Sequence, residues 1–535
     1  MPLLSSPARP AGPARLDRPG WAGSLARAAR LAARARRTVY PWLPAAGFLA
    51  SAVFAALVAL VSDEPVHRLW GGWAAASYGL AALIAGYGPA RNARSRPVAR
   101  AVCSPSAAGH AAPGPGGAVR PPLSLAALSL AALSLPAAVA VALAGAVLVP
   151  LITLAAAGQG MPEVGVTERA ATLLLQHGSP YLPAALLAGH GFLAYNPYLP
   201  AMTVFGLPHA VFGPGLLTDP RLWAGLTFAT AALAAFRVAG LPGRASASAT
   251  AVLVATPVIA FPLVVSGNDV PVLGLILLGL ALAGASRNAR NDLNFTPVTS
   301  ATAVWLRLIV TPAVAAGAVL GLAAAMKATA WPALAVAGAL LAGRAGWPAV
   351  RRAASWAVTG RAVGGRAVAQ YAAAAAAVLA AALLPWLITE PDALLRNTVL
   401  FPLGLTGTPS PAASPLPGHL LAAAGPAGHV IALLALAAAV LVPAAFLVLR
   451  PPRTGAAAVR WLAGWLALLF ALAPDSRWGY FCYPAGLAVW LWLRGGLWPP
   501  AAGSGQRRQK VADGLAAAGV EGDLHPGVPA GLRRA

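Results

Sequence analysis

Only fourteen acidic side chains are spread over 535 residues, so those bordering apolar runs stand out. Glu163 and Glu168 follow a long apolar stretch and lie five residues apart. That spacing presents either both carboxylates or only one to a common cavity. A carboxylate at a partly dry membrane edge holds its proton more tightly and suits a general base. A solvated loop acid is the plainer reading of each. Asn268 and Asp269 follow a Gly between two apolar runs; ligand or cation binding and simple turn chemistry both fit. Lys327 lies in Ala-Ala-Met-Lys-Ala-Thr-Ala-Trp-Pro with no acid nearby in sequence. It either snorkels to the interface or meets a phosphate. Arg477 lies in Pro-Asp-Ser-Arg-Trp-Gly-Tyr-Phe-Cys-Tyr-Pro. Two uses suit it: pairing with Asp475, or holding a phosphate beside a sugar or lipid chain. Arg396, Asn397 and His419 belong to an apolar loop, 389–425, with the shape of a cap over a cavity. A lone His of this kind is also common as a structural residue.

The elements that must position these groups are membrane helices. Hydrophobic residues make up 59% of the chain and charged residues 10%, with mean hydropathy +0.71. A soluble protein needs about a quarter charged residues to cover its surface. The net charge of +24 does not indicate nucleic acid, because the basic residues sit in clusters between apolar runs. That is the bias of cytoplasmic loops, reinforced by attraction to anionic lipid. Cys103 and Cys482 fall in a predicted loop and a predicted span, so no disulfide is expected. No Cys/His cluster has metal-ligand spacing, and no nucleotide-binding or hydrolase motif sits where it could act. The N-terminal basic stretch is too long, and the first apolar run too long, for a cleavable signal peptide.

An all-α polytopic protein of about twelve transmembrane helices follows. Residues 1–39 are a basic cytoplasmic segment, with Arg27, Arg30, Arg34 and Arg37 at helical spacing. Residues 40–88 hold two spans, Tyr40–Val61 and Trp70–Tyr87, and 89–121 a cytoplasmic linker. The main domain is 122–495. It begins with an interfacial lead-in before Pro136 and a span near 136–157. An outer loop, 158–221, is so rich in Pro that long helices are excluded. Within it, 200–217 should dip into the membrane without crossing. If it crossed, every later basic loop would turn outward. Nine further spans then fall near 222–240, 248–266, 270–285, 302–325, 330–342, 369–388, 427–449, 461–474 and 481–495. Residues 496–535 read as a disordered cytoplasmic tail. Both termini are expected inside a plasma membrane, and the polar suspects gather outside.

Within the outer loop, Glu163-Val-Gly-Val-Thr-Glu168-Arg-Ala-Ala-Thr-Leu-Leu-Leu-Gln-His-Gly178-Ser-Pro-Tyr181 resembles the first outer loop of the GT-C membrane glycosyltransferases, in the family-87, mannosyltransferase-like branch. Tyr195-Asn-Pro-Tyr198-Leu-Pro200 resembles the Pro-rich aromatic motif that follows, and Arg221 fits at the start of the next span. The resemblance implies transfer of a sugar, of mannose or arabinose type, from a polyprenyl-phosphate donor to an envelope glycan or glycolipid. It makes Glu163 the base by position, with Glu168 the rival; the family's usual residue there is Asp. Lys327, Arg477 and Arg396 are then the phosphate-holding candidates. Asp269, Tyr181, Tyr195, Tyr198 and His419 complete the expected substrate-binding set, with membrane lipid as the surrounding partner and no metal. A secondary transporter or lipid flippase is the rival class. It should show midplane charge pairs and an internal repeat. A non-catalytic membrane protein is the third.

Overall fold

A computed structural model describes residues 42–102, 125–187, 191–288, 311–343 and 363–495. The expected basic N-terminal segment, most of the 89–121 linker, the arginine-rich loop after 343 and the C-terminal tail lie outside these residues. The described residues are almost wholly helical and fall into two compact units, divided after Pro150.

In the first unit, α1 (Leu43–Val61) and α2 (Pro65–Val102) pack against each other. The link between them, 62–64, holds Asp63 and Glu64. α3 (Leu125–Leu143) packs on α2, and the Trp70 indole donates to the Ala146 carbonyl at 2.9 Å. The expected lead-in before Pro136 is instead helix. α3 runs through Pro136, because a membrane helix accommodates one lost backbone bond. It continues through a π-turn (Ala144–Leu148) into α4 (Val149–Ala156).

The second unit carries the elements of the Pro-rich 158–221 segment first. These are α5 (Pro162–His177), α6 (Ala184–Leu187), a 3₁₀ turn (Pro200–Gly206) and α7 (Leu207–Phe212). The 3₁₀ turn and α7 together hold 13 residues, about 20–25 Å at helical rise. The apolar core of a bilayer is about 30 Å thick, so this segment is too short to cross it.

The membrane body follows: α8 (Pro220–Val238), α9 (Gly243–Ala255), α10 (Pro257–Val265), α11 (Asp269–Asn288), α12 (Pro312–Met326), α13 (Trp331–Ala342) and α14 (Val363–Thr389). After the short helices α15 (Pro391–Leu395) and α16 (Pro417–Ala423) come α17 (Pro426–Leu449), α18 (Gly455–Leu472) and α19 (Cys482–Gly495). Each of the predicted spans in the described residues coincides with one of these helices or helix pairs. Six meet the length and apolarity of a complete crossing, and the α9–α10 pair, bent by 64°, makes a seventh if counted as one span.

The abundance of proline has a structural reason. Eight of the described helices begin with Pro: α2, α5, α8, α10, α12, α15, α16 and α17. At the first helical position the missing N–H costs nothing, and the fixed φ is already helical. Small residues set the closest contacts. A Cβ on Gly317 would lie 2.2 Å from the Tyr371 carbonyl oxygen, and one on Gly321 2.9 Å from that of Ala375. This Gly-x-x-x-Gly pair therefore lets α12 and α14 meet backbone to backbone. The core lies on α11, whose apolar stretch is 78% buried, flanked by α8 and α12. α14 and α17 instead turn Leu384, Leu387, Leu434 and Leu441 outward, as lipid-facing helices do. The chain is a polytopic, all-helical membrane protein in its described residues.

Candidate active site

The charged residues that sequence reading singled out come from breaks between helices. Glu163 opens α5, where a carboxylate also favours the exposed amides of the first turn. Asp269 opens α11 after the turn Ser266–Asn268. Lys327 is the extended residue between α12 and a 3₁₀ turn (Ala328–Ala330), with φ −156° and ψ 137°. Arg477 lies in the link between α18 and a second 3₁₀ turn (Trp478–Phe481). Backbone bonds lace these breaks together. The Met161 amide donates to the Val265 carbonyl at 2.9 Å, and the Leu199 amide to that of Met326 at 3.0 Å.

Two ion pairs result, Glu163–Arg477 partly buried and Asp269–Lys327 buried. Arg477 Nη1 pairs with Glu163 Oε1 across 314 residues of chain. Lys327 Nζ lies 2.5 Å from Asp269 Oδ1, which also accepts from the Tyr483 hydroxyl at 2.9 Å. Asn268 Nδ2 donates to the Glu163 carbonyl at 3.2 Å and to Thr167 Oγ1 at 3.1 Å, fixing the first turn of α5. The Lys327 ammonium sits over the rings of Tyr480 and Tyr198, 4.7 and 5.4 Å from their centroids. Two carboxylates and two cations balance, as burial of charge requires. Burial raises the Tyr480 and Tyr198 phenols above their ordinary range, so both stay protonated. Desolvation pulls the Arg477 guanidinium downward, but Glu163, Tyr480 and Tyr198 together outweigh it, so the net shift is upward.

A cleft enclosing about 590 Å³ of free space, part of it open to solvent, lies above this cluster. Glu163, Arg477 and Asp475 supply its charge; Tyr195, Tyr198, Phe401 and Tyr480 supply aromatic wall. Tyr195 stacks flat on Phe401, with centroids 4.4 Å apart. Tyr181 stands behind the wall and donates its hydroxyl to the Tyr198 carbonyl at 2.9 Å. The cap loop closes on the same region. Asn397 Oδ1 accepts from the Asn196 amide at 2.7 Å, and Glu390 accepts from the Ser179 hydroxyl.

Several expected placements differ. Arg477 does not pair with Asp475; its partner is Glu163, while Asp475 lines the cleft and lies near His419 and His429. Glu168 does not share the cleft. Five residues rotate a helix by about 140°, so its carboxylate meets His209 of α7 at 3.3 Å instead. Burial raises the Glu168 pKa, against the opposing effect of His209. Lys327 lies beneath the two tyrosines rather than in the cleft, and Asp269 neutralises it. Arg396 is exposed on a π-turn (Arg396–Leu400) and does not line the cleft, whereas its neighbour Asn397 is fully buried. His419 Nδ1 lies 3.0 Å from the Pro474 carbonyl and steadies the chain before Asp475. Tyr480, Tyr483 and Phe401 were missed. For Tyr480 and Tyr483 the signal is the aromatic run after Arg477, which reads equally well as an interfacial belt; Phe401 stands outside that run.

Arg221 is the strongest anchor nearby. It is almost fully buried, and Nη2 and Nε grip Asp219 Oδ2 and Oδ1 at 2.6 and 3.0 Å. Its Nη1 donates to the Val264 carbonyl at 2.9 Å, next to the turn that carries Asp269. Among the described residues no three His, Cys, Asp or Glu side chains converge to hold a metal ion.

No protein-family model matches the chain, and no curated protein matches it. Among solved structures the chain is similar to ArnT from Cupriavidus metallidurans, solved bound to undecaprenyl phosphate. The identity is 17% and the TM-score 0.39, over 71% of this chain and 62% of ArnT, so the match spans less than two thirds of ArnT's length. At that distance, the function must be read from this chain's own residues.

Proposed function

We propose that the protein is a membrane glycosyltransferase of GT-C type that takes a mannose- or arabinose-type sugar from a polyprenyl-phosphate donor. The acceptor is a glycan or glycolipid of the envelope, and the reaction lies on the outer face of the plasma membrane. The observation that carries this reading is the Glu163–Arg477 contact at the floor of an aromatic cleft. An acid from the first loop and a cation from the last loop meet there, in a site with one end at a lipid-facing helical body.

The chemistry follows from those two groups. The acceptor hydroxyl oxygen attacks the anomeric carbon, and the bond from that carbon to the phosphate oxygen breaks. The departing phosphate gains negative charge, which Arg477 is placed to hold. The acceptor proton goes to Glu163. A guanidinium has five N–H donors, so Arg477 can bridge the phosphate while loosening its hold on the carboxylate. Lys327, paired with Asp269, supports the Tyr198 and Tyr480 floor rather than meeting phosphate directly. Tyr195 and Tyr198 offer apolar faces suited to a sugar ring.

The test is transfer from labelled polyprenyl-phosphate mannose and arabinose in membranes with and without the protein. Glu163→Gln should lower the rate by about a hundredfold or more, the usual contribution of a general base. Glu168→Gln should stay within about threefold of the parent, because its carboxylate faces away from the cleft. Full activity of Glu163→Gln, or loss confined to Glu168→Gln, would reject the assignment.

A further inference from the structure

Asp475 has an unexplained oxygen. It lines the cleft beside Arg477, yet its Oδ2 is buried and makes no hydrogen bond. His429 Nε2, across Gly404, is buried and unbonded as well. The backbone explains the placement. Ser476 forms a parallel bridge with Ala413, and the Ser414 amide donates to the Ser476 carbonyl at 3.0 Å. Arg477 is extended, with φ −126° and ψ 147°. Asp475, in the bend before Ser476, and Arg477, after it, both line the cleft, while Ser476 between them is fully buried.

An anion-holding guanidinium and a carboxylate side by side on one cleft suit a phosphate joined to a sugar ring. We propose that Asp475 is the sugar-recognition residue of the cleft, accepting a hydrogen bond from a ring hydroxyl of the donor while Arg477 holds the attached phosphate. The assignment rests on the glycosyltransferase reading and names a specificity-determining residue within it. A carboxylate is the usual partner for a sugar hydroxyl in a site where water is scarce, since a hydrogen bond to a charged acceptor is the stronger kind. His419 and His429 are the titratable neighbours that face Asp475 from α16 and α17. Oδ2 is buried beside Gly404 and His429, so Oδ1 is the oxygen left to meet a ring hydroxyl.

The test is binding to the full-length protein in detergent, with three probes: sugar-free polyprenyl phosphate, polyprenyl-phosphate mannose and polyprenyl-phosphate arabinose. For the parent, at least one sugar-bearing lipid should bind more tightly than the sugar-free one. Asp475→Asn should lose about tenfold on that sugar-bearing lipid and less than twofold on sugar-free lipid, which also reports that the variant is folded. Asp475→Glu should recover part of the loss. Equal binding of all three probes by the parent would overturn the sugar contact and leave the phosphate site standing. So would equal loss on all three probes in Asp475→Asn. A parent that binds none of the three would overturn the glycosyltransferase reading itself.

Discussion

Replacing Arg221 with Met tests the joint on which the site is mounted. The guanidinium makes three side-chain hydrogen bonds, two to Asp219 and one to the Val264 carbonyl, and is 1% exposed. Met fills similar space but leaves the Asp219 carboxylate, itself 7% exposed, with only the Arg221-position backbone amide as donor. Breaking a buried pair on one side costs about 3–5 kcal/mol, because the stranded charge keeps its desolvation penalty. Asp219→Asn should cost a similar amount by stranding Arg221. It keeps the helix cap, since Asn caps as well as Asp. The double variant removes both charges and should cost only about 1–2 kcal/mol, mainly for the unmet Val264 carbonyl.

The assay is reversible unfolding in mixed micelles, with the four proteins compared as a double-mutant cycle. The coupling should be about 3 kcal/mol or more, with the double variant more stable than either single one. Transfer activity should fall in parallel with stability in Arg221→Met, because Val264 leads directly to the turn that presents Asp269. A single-variant cost under 1 kcal/mol, or a double variant showing the sum of both losses, would refute the claim that this buried pair holds the site.

Two further predictions concern neighbouring elements. Burial pushes the Asp475 pKa from 3.8 up to about 6, opposed by His419 and His429. The folded protein therefore binds more protons than the unfolded chain between about pH 4 and 6, and stability should decline as pH rises through that window; Asp475→Asn should flatten this part of the stability profile, and an unchanged slope would contradict the burial of the carboxylate. Gly206→Ala would place a methyl 2.3 Å from the Thr167 carbonyl oxygen, where α5 rests on the 3₁₀ turn. A loss of about 1–3 kcal/mol is expected from this overpacking, measured by the same unfolding assay, and a neutral substitution would mean that the two elements do not touch.

The membrane body was legible in the sequence because one signal dominates it. Apolar runs with charge confined to the links have few alternatives to spanning helices, and helices stand at each predicted span in the described residues. The Pro-rich outer loop was readable in what it excluded, and less so in its detail. Pro136 sat inside a run long enough for more than one reading, and local helix won over a break there. At the site, the types of residue were visible but their partners were not. Glu163 and Arg477 are 314 residues apart, and the nearest acid to Arg477 in sequence, Asp475, was the natural partner to expect. That expectation failed for a reason of local backbone. A bend at Asp475 before the bridged Ser476 brings Asp475 and Arg477 to the same cleft without pairing them. Periodicity decides such questions only once the local backbone is known, and the aromatic run around Arg477 gave no period to read.

The ion pairs also explain why a chain so poor in charge places its few charged groups where it does. Apolar side chains give helices in lipid little reason to choose one neighbour over another, because lipid tails compete on equal terms. A charge at a helix break does discriminate, since leaving it unpaired is costly. Glu163–Arg477 ties the start of α5 to the link after α18, and Asp269–Lys327 ties the start of α11 to the end of α12. Asp219–Arg221, through Val264, ties α8 to the end of α10. Each pair selects one arrangement of segments that hydrophobicity alone leaves open. The first of these ties lines the cleft, so Glu163 and Arg477 close the fold and, on the proposed reading, are also the pair that acts. A phosphate that draws Arg477 from Glu163 must then loosen one tie while itself replacing it. Binding of the donor should therefore stabilise the protein in proportion to its affinity, and a variant lacking Arg477 should lose that stabilisation together with activity.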